Sequence, residues 1–177
     1  MPTTPQDSFL RQASAAARAA GHIFPDYAAC EAALESAWGQ SRLAREANNL
    51  FGQKQSADAP SGFATLSLST QEFLHDRWVT VIAHWAHFAD QAACFRARMA
   101  LLRRLEHSYP AYARALAATT GEAFIEEVSR SWSTDPHRAQ KVLAIHRQHS
   151  ASFLPVLSPA IAGSGQPLSP IAGHVYA

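Results

Sequence analysis

The spacing of apolar and polar positions divides the chain into helical and extended stretches. From residue 6 to 20, Ala, Arg, Leu and Gln dominate, as in a good helix former; Asp7 or the preceding Thr-Pro supplies a start and Gly21 a stop. Pro25 and Asp26 open a second helix, expected to run to about Trp38 before Gly39 ends it, since Pro suits a first turn whose N–H has no partner. Ser41 caps a short helix in "SRLAREA", and "NNLFG" reads as a loop because Asn and Gly tolerate left-handed backbone. The period then changes. "FATLSLSTQEF" alternates polar and apolar residues, "RWVTVIAHW" is β-branched and aromatic, and "LHDR" lies between them, which predicts a β-hairpin. Helical composition returns over 90–105, 109–118, 121–131 and 136–149. Pro110 and Pro136 fit first turns, and Thr134 or Asp135 can cap the last helix. The end of the chain, "PVLSPAIAGSGQPLSPIAGHVYA", is rich in Pro, Gly and Ser and predicts no regular structure. The expected organisation is therefore one domain over 1–153 and a tail over 154–177, with no internal repeat.

Composition narrows the class. The 177 residues are 47% hydrophobic and 16% charged, which describes a folded domain. The formal net charge of +1 argues against a nucleic-acid binder. Arg96, Arg98, Arg103 and Arg104 still cluster in one segment; they form either a solvated helix face, the preferred reading, or a patch for an anionic polymer. No apolar run reaches the roughly 20 residues of a membrane span. The N-terminus lacks the basic start and apolar centre of a signal peptide, so another export route is expected. Cys30 and Cys94 have no metal or redox spacing and read as small buried apolar residues.

Candidate chemistry centres on Glu35. It stands in an alanine-rich run beside Leu34 and Trp38, an apolar setting that disfavours the charged form of a carboxylate and suits a general acid. Composition alone also allows a surface or capping glutamate. Glu31, one turn earlier, either supports Glu35 or is solvated. A second carboxylate, Glu72, lies in the hairpin, and two carboxylates flanking a bond are the usual machinery of glycoside hydrolysis. His84 and His87 point to opposite faces of a strand, and His146 and His149 read as a solvated helix face, so no metal site is expected. Gly-x-Ser-x-Gly and phosphate-binding glycine loops are absent.

The stretch "ALESAWGQSRLAREANNLFGQK" resembles glycoside hydrolase family 73, the bacterial peptidoglycan glucosaminidases, which include autolysins and a flagellar hydrolase domain. The family pattern A-L-E-S-G-W-G followed by N-L-F-G-x-K is met by Ala33, Leu34, Glu35, Ser36, Trp38, Gly39, Asn49, Leu50, Phe51, Gly52 and Lys54, with Ala37 in place of the usual Gly. The family's T-T-E-Y corresponds to Thr70-Gln71-Glu72-Phe73. Its G-Y-A-T-D-P-x-Y-A corresponds to Ser131-Trp132-Ser133-Thr134-Asp135-Pro136-His137-Arg138-Ala139, so Trp132 stands where the family usually has a tyrosine.

This resemblance covers residues 25–150 and implies an α+β, mostly α, lysozyme-like fold: a helical lobe, a small β-hairpin lobe and a groove between. It implies that Glu35 is the general acid and Glu72 the second carboxylate, with Trp132 in the site. Trp38, Asn49, Phe51 and Asp135 are the further candidate substrate contacts, Asn49 being equally a turn residue and Phe51 reading more as core than as a sugar platform. The implied activity is cleavage of the β-1,4 bond after N-acetylglucosamine in peptidoglycan, without cofactor or metal. The alternatives are a muramidase or lytic transglycosylase on the same fold, or a non-catalytic wall-binding module. The expected partner is the glycan strand, met by a monomer at the bacterial cell wall in a phage endolysin or a protein delivered by another machine.

Overall fold

The computed structural model describes residues 4–55, 64–74 and 77–154, with the side chains of 70–74 excepted. The expected tail beyond residue 154, the "SADAPSG" loop and part of "LHDR" lie outside these residues. Among the described residues there are seven α-helices and one two-stranded antiparallel sheet. None of these helices is long and apolar enough to cross a membrane.

Helix α1 spans Pro5–Ala19. Both start signals read from the sequence operate together: Thr4 Oγ1 accepts the Asp7 N–H at 3.0 Å, and the Thr4 N–H donates to the Asp7 carboxylate at 3.2 Å, a reciprocal capping box. Asp7 also accepts from Ser152 Oγ at 2.7 Å and from His149 Nδ1 at 2.9 Å, tying the helix start to the last described residues. These bonds, that of Ser152 foremost, hold its carboxyl well below the usual range.

Helix α2 spans Pro25–Glu35 and is the spine of the domain. Ala28, Ala29, Cys30, Glu31, Ala32 and Ala33 are all buried, so the helix is covered on every side rather than along one stripe. The alanines make this possible, because a side chain of one carbon lets neighbouring helices approach closely. Helix α3 spans Arg42–Ala47, α4 Gln91–Leu105, α5 Pro110–Leu116, α6 Gly121–Trp132 and α7 Arg138–Gln148. Helices α1, α6 and α7 pack on α2, while α4 lies against α1 and α5. Gly121 permits the α2–α6 approach: a Cβ there would collide with the Tyr27 ring.

Helix α2 stops at Glu35, short of the expected Trp38. Ala37, Trp38 and Gly39 take positive φ values of 51°, 58° and 76°, which no right-handed helix can contain. Buried Ser36 holds this turn: its hydroxyl donates to the Ala32 carbonyl and accepts the Gly39 N–H at 2.8 Å. Helix α7 also begins later than expected, at Arg138, because residues 133–137 form a turn of their own.

The hairpin forms as predicted, with β1 over Thr65–Leu74 and β2 over Arg77–Ala86 in a register running from Thr65 opposite Ala86 to Leu74 opposite Arg77. Its base is sewn to the segment after α3. Gln55 N donates to His84 O at 2.8 Å, Ala86 N to Gln53 O at 3.0 Å, and Phe88 N to Ala47 O at 2.8 Å. Farther along β2, Trp78 and Ile82 are exposed.

Candidate active site

Glu35 is the last residue of α2, where the covered spine reaches the surface; its side chain is 26% exposed. Its Oε1 accepts the Arg138 Nε–H at 2.8 Å. Arg138 is itself buried, with every guanidinium nitrogen engaged: NH2 donates to Glu31 Oε1 at 2.7 Å and NH1 to Ser129 Oγ at 2.9 Å. Arg98 NH2 donates to the same Glu31 oxygen at 3.2 Å. The Arg98 guanidinium lies 3.4 Å from the centroid of the Trp132 ring and 5.3 Å from that of Phe51.

Two carboxylates and two guanidiniums thus form one cluster with no formal net charge. Three of its members, Glu31, Arg98 and Arg138, are at most 2% exposed. Burial opposes ionisation of Glu31, yet Arg98 and Arg138 outweigh it and hold the carboxyl below its ordinary value. Burial also opposes the Arg138 cation, and Glu31 and Glu35 outweigh it in turn, raising its value. For Arg98 burial prevails and lowers it: Glu31 is its single carboxylate partner, and Arg138 adds like charge nearby. Both arginines stay protonated, because a guanidinium does not lose its proton in proteins.

The structure corrects several expectations around this cluster. Arg98 is not part of a solvated face. Arg96, Arg103 and Arg104 are exposed, but Arg98 falls between Cys94 and Leu102 on the buried stripe of α4. Glu31 is interior rather than solvated. The signal for both was present in the sequence: Arg98 is four residues from Cys94 and four from Leu102, and Glu31 interrupts an alanine run. A charge on a buried stripe requires a buried partner.

Asn49, expected to contact substrate, is 1% exposed, and its amide is spent inside the protein. Nδ2 donates to Gln53 O at 2.8 Å and Ala86 O at 2.9 Å, and Oδ1 accepts the Gln53 N–H at 2.9 Å, which makes it a staple between loop and hairpin. Phe51 is 4% exposed and meets Phe95 edge to face at 5.4 Å, so it belongs to the core. Neither is placed to contact substrate, in line with the core reading of Phe51 and the turn reading of Asn49: the loop carrying them is folded under the hairpin base.

Trp38 and Trp132 are half-buried. Trp38 packs edge-on to Phe9 at 6.3 Å and to His149 at 5.4 Å, and Trp132 covers Arg98. Asp135 spends its carboxylate locally, on the His137 N–H at 2.9 Å and Lys141 Nζ at 2.7 Å. Lys141 and then the His137 amide hold its carboxyl below the ordinary value. Asp135 also borders a cavity of about 630 Å³ with Ser129, Arg130, Ser133 and Thr134. Glu72 pairs with Val79 in the hairpin register, and its side chain lies outside the described residues.

The histidines differ from expectation too. His146 is not solvated: it stacks between Tyr27 at 4.0 Å and Phe153 at 5.4 Å. His149 is bound by Asp7. Cys30 and Cys94 are free and buried, and burial pushes both thiols up to about 12, so they are unreactive packing residues.

A mostly helical body with one antiparallel hairpin is the fold of the lysozyme-like glycoside hydrolases, and the relatives of the chain place it among them. The chain belongs to the glucosaminidase family, described as mannosyl-glycoprotein endo-beta-N-acetylglucosaminidase, whose sequence profile matches residues 11–151. The glycoside hydrolase domain of Salmonella typhimurium FlgJ, C-terminally truncated, is 28% identical with a TM-score of 0.65, over 82% of this chain and 98% of that one. The catalytic domain of the autolysin Auto from Listeria monocytogenes is 22% identical with a TM-score of 0.71, over 86% and 88% of the two chains, and shows the shared fold. A peptidoglycan hydrolase mutant from Sphingomonas sp. A1 shares the fold at 20% identity and a TM-score of 0.63, over 82% and 98%. No protein of curated function matches the chain in sequence.

Proposed function

We propose that this glycoside hydrolase acts on bacterial peptidoglycan, cutting the β-1,4 bond after N-acetylglucosamine with Glu35 as general acid. The observation that carries this reading is the setting of Glu35. It is the one carboxylate of the buried cluster that reaches solvent, and it stands on the motif of a glucosaminidase family. The domain of Salmonella FlgJ, a glycoside hydrolase at 28% identity over nearly its whole length, supports the same assignment.

In the proposed reaction, Glu35 transfers its proton to the glycosidic oxygen as the bond from that oxygen to C1 breaks. The leaving sugar departs as an alcohol and positive charge develops at C1. Water completes the exchange: its oxygen bonds C1, and its proton passes to a base. Glu72 serves as that base or assists the substrate's own acetamido oxygen, which first bonds C1 and is then displaced by water. Half-buried Trp38 and Trp132 offer aromatic surface to the sugars. The activity places the protein's work at the cell wall.

Digestion of purified sacculi, reduction with borohydride and mass spectrometry of the fragments test this. Reduced N-acetylglucosamine ends are expected. Reduced or anhydro N-acetylmuramic acid ends would replace the reading with a muramidase or lytic transglycosylase, and no fragments at all would leave a binding module. Glu35→Gln keeps the shape of the side chain but not its acid, so the digestion rate should fall on the order of 10²–10⁴-fold. A variant that digests sacculi at the native rate would exclude Glu35 as the acid.

A further inference from the structure

Glu35 ends a helix, is partly exposed, and carries a flexible side chain. What fixes the direction of its carboxylate comes from far along the chain. The Arg138 guanidinium is a rigid planar fork, and its three nitrogens are committed to three groups: Nε to Glu35, NH2 to Glu31 and NH1 to Ser129. Arg98 donates to the same Glu31 Oε1, and its own face is covered by the Trp132 ring. Each link is buried until the last one, so the aim of Arg138 Nε is set by the core and not by the surface. Arg138 also occupies the position of the second tyrosine in the family's G-Y-A-T-D-P-x-Y-A pattern, and Trp132, which covers Arg98, occupies that of the first. The two departures therefore meet in one structural unit.

We infer that Arg138 is the positioning residue for Glu35, oriented by Glu31, and that it decides which carboxyl oxygen carries the catalytic proton. This rests on the general-acid reading of Glu35. A cationic N–H donated to Oε1 favours negative charge and opposes a proton on that oxygen, so the acid proton resides on Oε2. Transfer from Oε2 to the glycosidic oxygen leaves a carboxylate, and the guanidinium already bonded to Oε1 faces the charge as it forms. The contact is therefore worth more after proton transfer than before it, which is the condition for a contribution to kcat. It is also a contact the substrate does not make, so KM should be nearly indifferent to it.

The test compares Arg138→Gln, Arg138→Lys and Glu35→Gln on a soluble muropeptide, with thermal melts to confirm folding. Arg138→Gln is expected to lose kcat on the order of 10²-fold, the scale of a misplaced reacting group, with KM changed by no more than about 3-fold. Arg138→Lys keeps the charge but cannot span three partners, so it should recover roughly a tenth of the native kcat, again with KM nearly unchanged. If Arg138→Gln does not fold, the decision rests on Arg138→Lys by the same kcat and KM split. Native kcat in a folded Arg138 variant, or a loss carried by KM alone, overturns the positioning role while an inactive Glu35→Gln leaves the acid assignment standing. An active Glu35→Gln overturns both.

Discussion

The end of α2 and the hairpin are built on opposite principles. Around α2 the protein is dense: six consecutive buried residues, a cluster of four charges, and an arginine with no free nitrogen hold Glu35. The hairpin is a single pair of strands, a unit of marginal stability alone, and it depends on the stitches at its base. Beyond that base Trp78 is 68% exposed and Ile82 71% exposed. In the proposed reaction the helical body supplies the acid, whose position must be set within a fraction of an ångström. The hairpin carries Glu72, whose suggested partner is a water molecule or the substrate itself. Rigid packing suits the first task, and an element free to adjust suits the second.

The sharpest way to break this contrast is to remove the centre of the body. Glu31→Leu strips Arg98 of its carboxylate and leaves two guanidiniums facing each other in the core. Breaking a buried pair in this way costs about 3–5 kcal/mol, and urea unfolding should show it. A loss below about 1 kcal/mol, the scale of a surface ion pair, would mean that the cluster is not the keystone of the body.

Next in size is a pH effect. His22 is 6% exposed, its Nδ1 accepts the Phe24 N–H at 3.1 Å, and its ring meets Phe124 and Phe95 edge to face. Burial, opposed by Glu31 and reinforced by Arg98 and Arg103, lowers its pKa from 6.5 to about 4. The folded protein therefore takes up the proton later than the unfolded chain as pH falls. Stability is full above pH 6.5, declines between there and about 4, and loses on the order of 3 kcal/mol across that window. Urea midpoints from pH 7 to 4 should follow this slope in the native protein and flatten in His22→Gln, measured relative to each variant's own value at pH 7. An unchanged slope would remove His22 from the account.

Asn49→Ala acts on the other side of the comparison. It frees the Gln53 and Ala86 carbonyls and the Gln53 N–H from their side-chain partner, a cost of roughly 1–3 kcal/mol. Hydrogen exchange should rise along β1 and β2 before it rises in α2 and α4. A uniform rise would show that hairpin and body unfold as one unit.

The smallest expected change is a gain. Ala37 has φ 51°, a left-handed conformation that costs a residue with a Cβ roughly 1–2 kcal/mol. Glycine recovers part of this and loses some to unfolded-state entropy, so Ala37→Gly should stabilise by about 0.5 kcal/mol. A destabilised variant would show that the Ala37 methyl makes a packing contact worth more than the strain.

Much of the architecture was legible from local rules. Thr4, Asp7, Pro25, Ser41, Pro110 and Gly21 mark helix ends, and the change from helical to alternating spacing marks the hairpin. The end of α2 was not legible, because Trp38 and Ala37 are acceptable helix residues, and it is the Ser36 hydroxyl and the packing of Gly39 on Phe9 that turn the chain. For Asn49 the motif left substrate contact and turn residue open, because a motif does not distinguish residues that touch a ligand from those that hold the loop in place.

The sequence by itself determined which segments are helices, where the strands lie, and that Glu35 stands on a glucosaminidase motif. Those properties follow from spacing and from residues within a few positions of one another. Only the tertiary structure decided that Glu31, Arg98 and Arg138 meet beneath Glu35. They are separated by 67 and 107 residues from Glu31, and no local propensity relates them. What relates them is the cost of burying a charge, which can be offset only after the helices have packed and brought the opposite charges together.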